Sequence, residues 1–164
     1  MLYLEVHFQK ILLCDFRMPY TEAVIAECMR FSSIVPFGVM HEATQDTYFE
    51  GYLIPKGFTV SAFQYGVHHD KRFWGDPENF RPERFINEDG KFQKNDALIP
   101  FSLGKRQCLG ELLARDELFL LTTHIFHSFD VELAPEDKNV DLKYKQGALL
   151  TPSHYKVILN EKIQ

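Results

Sequence analysis

The sequence is short of several things that particular functions require. Basic residues are not in excess: 18 lysines and arginines face 23 aspartates and glutamates, for a net charge of -5. With a pI near 5.8 there is no basic face to track phosphates, and nucleic acid is not an expected partner. Cysteines are few, at positions 14, 28 and 108. They cannot all pair, and none stands in a CxxC or a metal-type Cys/His spacing, so the pattern suits a reducing compartment and a free thiol. Long apolar runs are missing as well. The opening stretch MLYLEVHFQKILLCDF, residues 1 to 16, is broken by Glu5, Lys10 and Asp15 and is shorter than the roughly 20 apolar residues of a membrane-spanning helix. It also lacks the basic start, clean apolar centre and small-residue cleavage site of a secretory signal, so no anchor is expected in this chain. Internal repeats and low-complexity segments are absent.

What remains is 164 residues, 45% hydrophobic and 25% charged, ordinary for one globular domain with a core. From Met18, PYTEAVIAECMRFSS predicts a helix, with Pro19 at its start, Thr21 as a candidate cap and Ala23, Val24, Ala26, Cys28 and Met29 as its apolar residues; Pro36 and Gly38 end it. TYFEGYLIPKGFTVSAF follows, with aromatic and β-branched runs split by Gly51 and by the Pro55/Gly57 turn, which predicts a hairpin or small antiparallel sheet. Residues 66 to 100 mix Gly, Pro, Asp and Asn with Trp74, Phe80, Phe85 and Phe92, and read as a long ordered meander. LGELLARDELFLLTTHIFHSF, 109 to 129, carries Leu113, Leu118, Leu121 and Ile125 at helical steps and predicts a largely buried helix. The tail from 131 alternates in VELAP and YKVILNEKI and turns at Gly147, as a closing hairpin would.

The segment richest in chemistry is FSLGKRQCLG, 101 to 110. Cys108 lies just before the long helix, where exposed amides, the helix dipole and Arg106 favour a thiolate. A small cysteine that only packs is the commoner fate of a lone thiol and stays open on these grounds alone. The segment resembles the cysteine-loop signature of cytochromes P450, Phe-x-x-Gly-x-Arg-x-Cys-x-Gly, at every fixed position: Phe101, Gly104, Arg106, Cys108 and Gly110. Glu27 and Arg30 in ECMR resemble that family's Glu-x-x-Arg helix, and Arg84 in FRPERF the arginine of its meander. The order of these elements, with a hairpin between the helix and PERF, is also the family's.

The resemblance implies a mainly α fold with small β-sheets (α+β): the carboxy-terminal part of a cytochrome P450, from the ExxR helix through the cysteine loop and the proximal helix to a terminal hairpin. It implies haem b, iron protoporphyrin IX, with Cys108 as axial iron ligand whose electron donation favours O–O cleavage. Arg106 should pair with a propionate, Phe101 should pack beside the sulfur, and Gly104 and Gly110 should let the backbone approach. Glu27, Arg30 and Arg84 should form a buried structural ion cluster, against the alternative of a solvated i, i+3 pair. His41 stands where many animal microsomal members place a propionate-binding histidine, although a surface histidine remains the alternative; Glu42, where the family usually has arginine, should point away. Val35 to Val39 and the turn Gly147 to Leu150, with Val35, Val39 and Leu149 foremost, fall in the substrate-contact regions, with apolar core as the alternative for each. The pair His68 and His69 with Asp70 is read as the meander entry and not as a metal site, because adjacent side chains point apart. His124 and His127 are read as ordinary helix residues.

The resemblance covers residues 17 to 164 and the last third of such a protein, whereas residues 1 to 16 read as a non-family leader. The complete protein is thus expected to be a monooxygenase inserting oxygen from O₂ into a lipophilic small molecule, with electrons from an NADPH-dependent reductase, at the endoplasmic reticulum membrane. The distal helix with its Ala/Gly-Gly-x-x-Thr signature has no counterpart here, so the chain alone is expected to be inactive. The alternative is a non-catalytic haem-binding remnant or a misassembled gene product.

Overall fold

The computed structural model describes residues 18–138, 144–145 and 147–162. The leader predicted for residues 1 to 16 lies outside the described residues. Helix α1, Pro19–Ser32, begins at Met18 with Pro19 in its first turn. Thr21 is therefore inside the helix and is not its cap: the fixed φ and missing N–H of proline suit the first helical position and set the boundary instead. The buried residues of α1 include Ala23, Ala26, Glu27 and Arg30, one stripe at i, i+3, i+4 and i+7. Cys28, predicted on the apolar side, is exposed. The helix ends at Ser33, earlier than Pro36, with the backbone left-handed at φ 39°.

Two small antiparallel pairs follow. Strands β2, Thr47–Phe49, and β3, Tyr52–Ile54, form a hairpin in the register Thr47–Ile54 and Phe49–Tyr52. Its turn residues, Glu50 and Gly51, have φ of 49° and 83°, the positive values that two-residue hairpin loops require. Outside it, β1, His41–Glu42, pairs with β4, Thr59–Val60. The meander is ordered by two short helices, α2 (Gln64–His68) and α3 (Lys71–Trp74), and by a 3-10 turn at Pro82–Phe85. It folds back on α1, and the core forms there from Ala23, Ala26, Trp74, Phe85 and Leu98, flanked by Ile86 and Phe92.

Helix α4, Glu111–Ser128, follows the cysteine loop, and none of its residues is buried. This corrects the expectation of a largely buried helix. Leu113 and Leu121 are 63% and 61% exposed, because among the described residues α4 packs mainly against α1 and the start of the last sheet. A groove of about 330 Å³ between α1 and α4 is lined by Ile25, Met29, Phe92, Arg115, Phe119 and Leu120. The last sheet pairs β5, Phe129–Leu133, with β6, Val157–Glu161, in antiparallel register. The turn at Gly147 is a separate feature, closed by a bridge between Lys145 and Thr151. Helices with small two-stranded sheets make the chain α+β, and among the described residues no helix is long and apolar enough to cross a membrane.

Candidate functional site

At the centre of the core lies Glu27, whose carboxylate is fully buried and receives four N–H donors. Oε2 accepts from Arg30 Nε at 2.7 Å; Oε1 accepts from Arg30 Nη2 at 2.8 Å, from the Arg81 backbone N–H at 2.8 Å and from Arg84 Nε at 3.2 Å. Four donors match the lone-pair capacity of a carboxylate. Arg30, also fully buried, donates as well to the carbonyl of His68 through Nη1 (2.8 Å) and to those of Pro77 (3.0 Å) and Asn79 (3.3 Å), which share Nη2 with Glu27. Arg84 donates to the carbonyls of Trp74 at 2.9 Å and Asn79 at 3.1 Å and also meets Asp76. Both guanidinium groups lie over the Trp74 ring, at 5.4 and 5.8 Å from its centroid. The structure thus brings Glu27, Arg30 and Arg84 together in a desolvated set whose charges and hydrogen bonds are satisfied.

Two contributors escape sequence reading. Arg81 reaches Glu27 through its backbone, which no side-chain pattern reveals. His68 is fully buried: its Nδ1 meets Ser33 Oγ at 2.8 Å and its Nε2 accepts the Ile99 N–H at 2.9 Å. Burial lowers its pKa to about 4, helped by the neighbouring His69 and Arg30. With both ring nitrogens engaged by protein, His68 has none left for a metal. His69 turns the other way and stacks on Tyr65 at 4.0 Å.

The cysteine loop leaves this core through Ile99 and Phe101. Ser102 and Gly104 both take positive φ, 65° and 75°, and the loop makes a 3-10 turn over Gly104–Arg106. The Cys108 N–H donates to the Phe101 carbonyl at 2.9 Å, which closes the loop on itself just ahead of α4. Cys108 and Arg106 are exposed, and a side chain added at Gly104 or Gly110 would meet nothing within 4 Å. The Phe101 ring lies under the Arg115 guanidinium at 5.1 Å. Arg115 in turn pairs with Glu111 at 2.8 Å, and Gln107 donates to the same carboxylate. Burial tends to raise the Glu111 pKa, but the bonds from Gln107 and Arg115 and the charges of Arg115 and Lys94 outweigh it and hold the pKa low.

The remaining sequence-selected residues surround the loop less closely. His41 is half-buried on β1, with Glu42 exposed on the opposite face. Val35 is half-buried, Val39 and Leu149 are exposed, and the Leu150 N–H donates to the Ile34 carbonyl at 2.8 Å, so the two apolar segments meet. His124 and His127 are exposed on α4.

Residues 16–159 match the family model described as Cytochrome P450. The chain is 44% identical over 142 residues to cytochrome P450 2B19 of Mus musculus, covering 86% of this chain and 29% of that protein. It is likewise 44% identical over 145 residues to cytochrome P450 18a1 of Drosophila melanogaster, covering 88% of this chain and 27% of the relative. Cytochrome P450 2E1 of Bos taurus is 46% identical over 143 residues, covering 87% of this chain and 29% of its own length. The chain therefore spans less than a third of the curated relatives it matches.

Proposed function

The chain belongs to the cytochrome P450 family, and from that premise we propose that its cysteine loop is the haem-thiolate seat of a monooxygenase, with Cys108 as the iron ligand. The observation that carries this reading is the loop itself: an exposed thiol just ahead of a helix, beside two glycines whose outward faces are open. A flat, rigid macrocycle needs a soft anionic ligand and a surface with no side chain in its way, and the loop offers both. When bound, haem supplies the oxygen chemistry and the thiolate tunes its electronics.

The chain's own residues hold and orient. Cys108 is carried on a loop tied back through its own N–H to Phe101, which limits how far the sulfur can wander. Arg106, exposed beside it, would neutralise a propionate, and His41 is a second candidate for that contact. The Phe101 ring, which lies under the Arg115 guanidinium at 5.1 Å, would pack beside the sulfur. Glu27, Arg30 and Arg84 serve as the structural ion cluster beneath it. Val35, Val39 and Leu149 would border a lipophilic substrate, in keeping with the bond that joins their two segments. The complete protein would draw electrons from an NADPH-dependent reductase at the endoplasmic reticulum membrane and use haem b.

The 164-residue chain alone is inactive in this reading. Oxygen activation needs shielding from bulk water and a positioned proton relay, and the exposed leucines of α4 indicate a face built to be covered. Haemin titrated into the chain and into Cys108→Ser should bind the first more tightly, and neither should hydroxylate a substrate when reductase and NADPH are added. Equal affinity in the two would overturn the ligand assignment, and reductase-dependent hydroxylation would overturn the inactivity.

A further inference from the structure

His68 has no part in the reading above, yet its surroundings are unusually complete. It is fully buried at the end of α2, and each of its polar groups has a partner. Because Nε2 accepts the Ile99 N–H at 2.9 Å, the neutral ring must carry its proton on Nδ1, which then donates to Ser33 Oγ at 2.8 Å. The Ser33 hydroxyl donates in turn to the Arg30 carbonyl at 2.8 Å, and the His68 carbonyl accepts from Arg30 Nη1 at 2.8 Å. Arg30 and His68 are thus joined by two routes, one through each end of the arginine.

Ser33 shows that this arrangement matters to the chain. It is 3% exposed and left-handed at φ 39° and ψ 52°, a conformation that glycine would take with less strain. Glycine has no hydroxyl, and here the hydroxyl fills the gap between the Arg30 carbonyl and the imidazole.

On its other side His68 grips the root of the cysteine loop. Ile99 gives its N–H to His68, and its carbonyl accepts from Ser102 at 3.0 Å. The carbonyl of Phe101, two residues further on, accepts the Cys108 N–H at 2.9 Å. We propose that His68 is a positioning residue for the cysteine loop: through Ser33 and Ile99 it fixes the segment carrying Cys108 to the buried Glu27–Arg30–Arg84 cluster. The consequence for haem rests on the function proposed above; the clamp itself does not.

The test is residue-resolved amide hydrogen exchange on the 164-residue chain, with the β2–β3 hairpin as internal reference, together with the ¹⁵N signals of the His68 ring. His68→Leu fills the space but offers neither bond, whereas His68→Gln returns a carbonyl acceptor. Relative to the hairpin, exchange at Ile99 and Cys108 should rise at least about tenfold in His68→Leu, and His68→Gln should recover most of the protection at Ile99. The wild-type ring should carry its proton on Nδ1. Unchanged Ile99 exchange in His68→Leu, or a proton on Nε2 in the wild type, overturns the clamp; should His68→Leu fail to fold, the tautomer alone decides. Failure of the wild-type chain to bind haem through Cys108 would sink the haem reading and leave these amide results as they stand.

Discussion

Glu27 and Cys108 each sit in a short motif with an arginine nearby, yet their surroundings are opposite. Glu27 is fully buried under four donors, and the arginines beside it end on backbone carbonyls of the meander. Cys108 and Arg106 face outward, and the loop is tied to itself by short-range backbone bonds, Cys108 N–H to the Phe101 carbonyl and Gln107 N–H to the Gly104 carbonyl. The partners of the ion cluster all come from residues 27 to 84, so this chain completes it unaided. The loop and α4 hold their chemical groups toward space, so their energetics depend on what is set against them. One motif builds the platform and the other presents from it.

The largest effect should come from removing a charge from the platform. Arg30→Ala leaves Glu27 buried with its strongest partner gone, and the expected cost is about 3 to 5 kcal/mol, enough to lose the folded chain. Chemical denaturation followed by circular dichroism measures it; a folded Arg30→Ala chain with a wild-type midpoint would mean the cluster is not the platform.

The next effect is pH-dependent and belongs to His68. Its folded pKa of about 4 lies below the unfolded value of 6.5, so the unfolded state binds more protons between these two values. Stability is full above pH 6.5, falls by about 3 kcal/mol as the pH drops to 4, and changes no further below that on account of this group. Arg30 opposes protonation with its permanent charge, and His69 adds to this once it is itself protonated, while the Glu27 carboxylate is already bound to Arg30. His68→Gln cannot titrate at this position, and subtracting its urea profile from that of the wild type removes the contribution of the carboxylates and the other histidines. A flat difference would place His68 in water.

Around the loop, substitutions should matter far less. Glu111→Gln breaks a partly exposed i, i+4 pair and should cost about 0.3 to 0.5 kcal/mol, seen as a small shift in the denaturation midpoint. Smallest of all, Leu113→Lys should alter stability by less than about 0.5 kcal/mol while reducing self-association on a sizing column. A loss of several kcal/mol there would mean α4 is buried after all.

The same contrast explains what could be read from the sequence. The cysteine loop was legible because five fixed residues fall within ten positions and a local signature needs no tertiary context. The β2–β3 hairpin was legible from its turn residues. The inward stripe of α1 is legible in pieces: periodicity gives Ala23 and Ala26 but adds Val24, Cys28 and Met29, and it counts Glu27 and Arg30 as surface, so their burial is expected only from the family resemblance. The apolar content of α4 was clear, but burial depends on a partner that a helix's own pattern does not contain. His68 had no signal at all, since nothing in its spacing tells a buried acceptor from a polar loop residue.

If Cys108 is a haem ligand held on a self-sufficient platform, the absorption spectrum of the haem-loaded chain, reduced and exposed to carbon monoxide, will differ from that of Cys108→Ser prepared in the same way. A red-shifted Soret band in the wild type that is lost in Cys108→Ser is the predicted result. The same band in both proteins, or in neither when haem is bound, would contradict it.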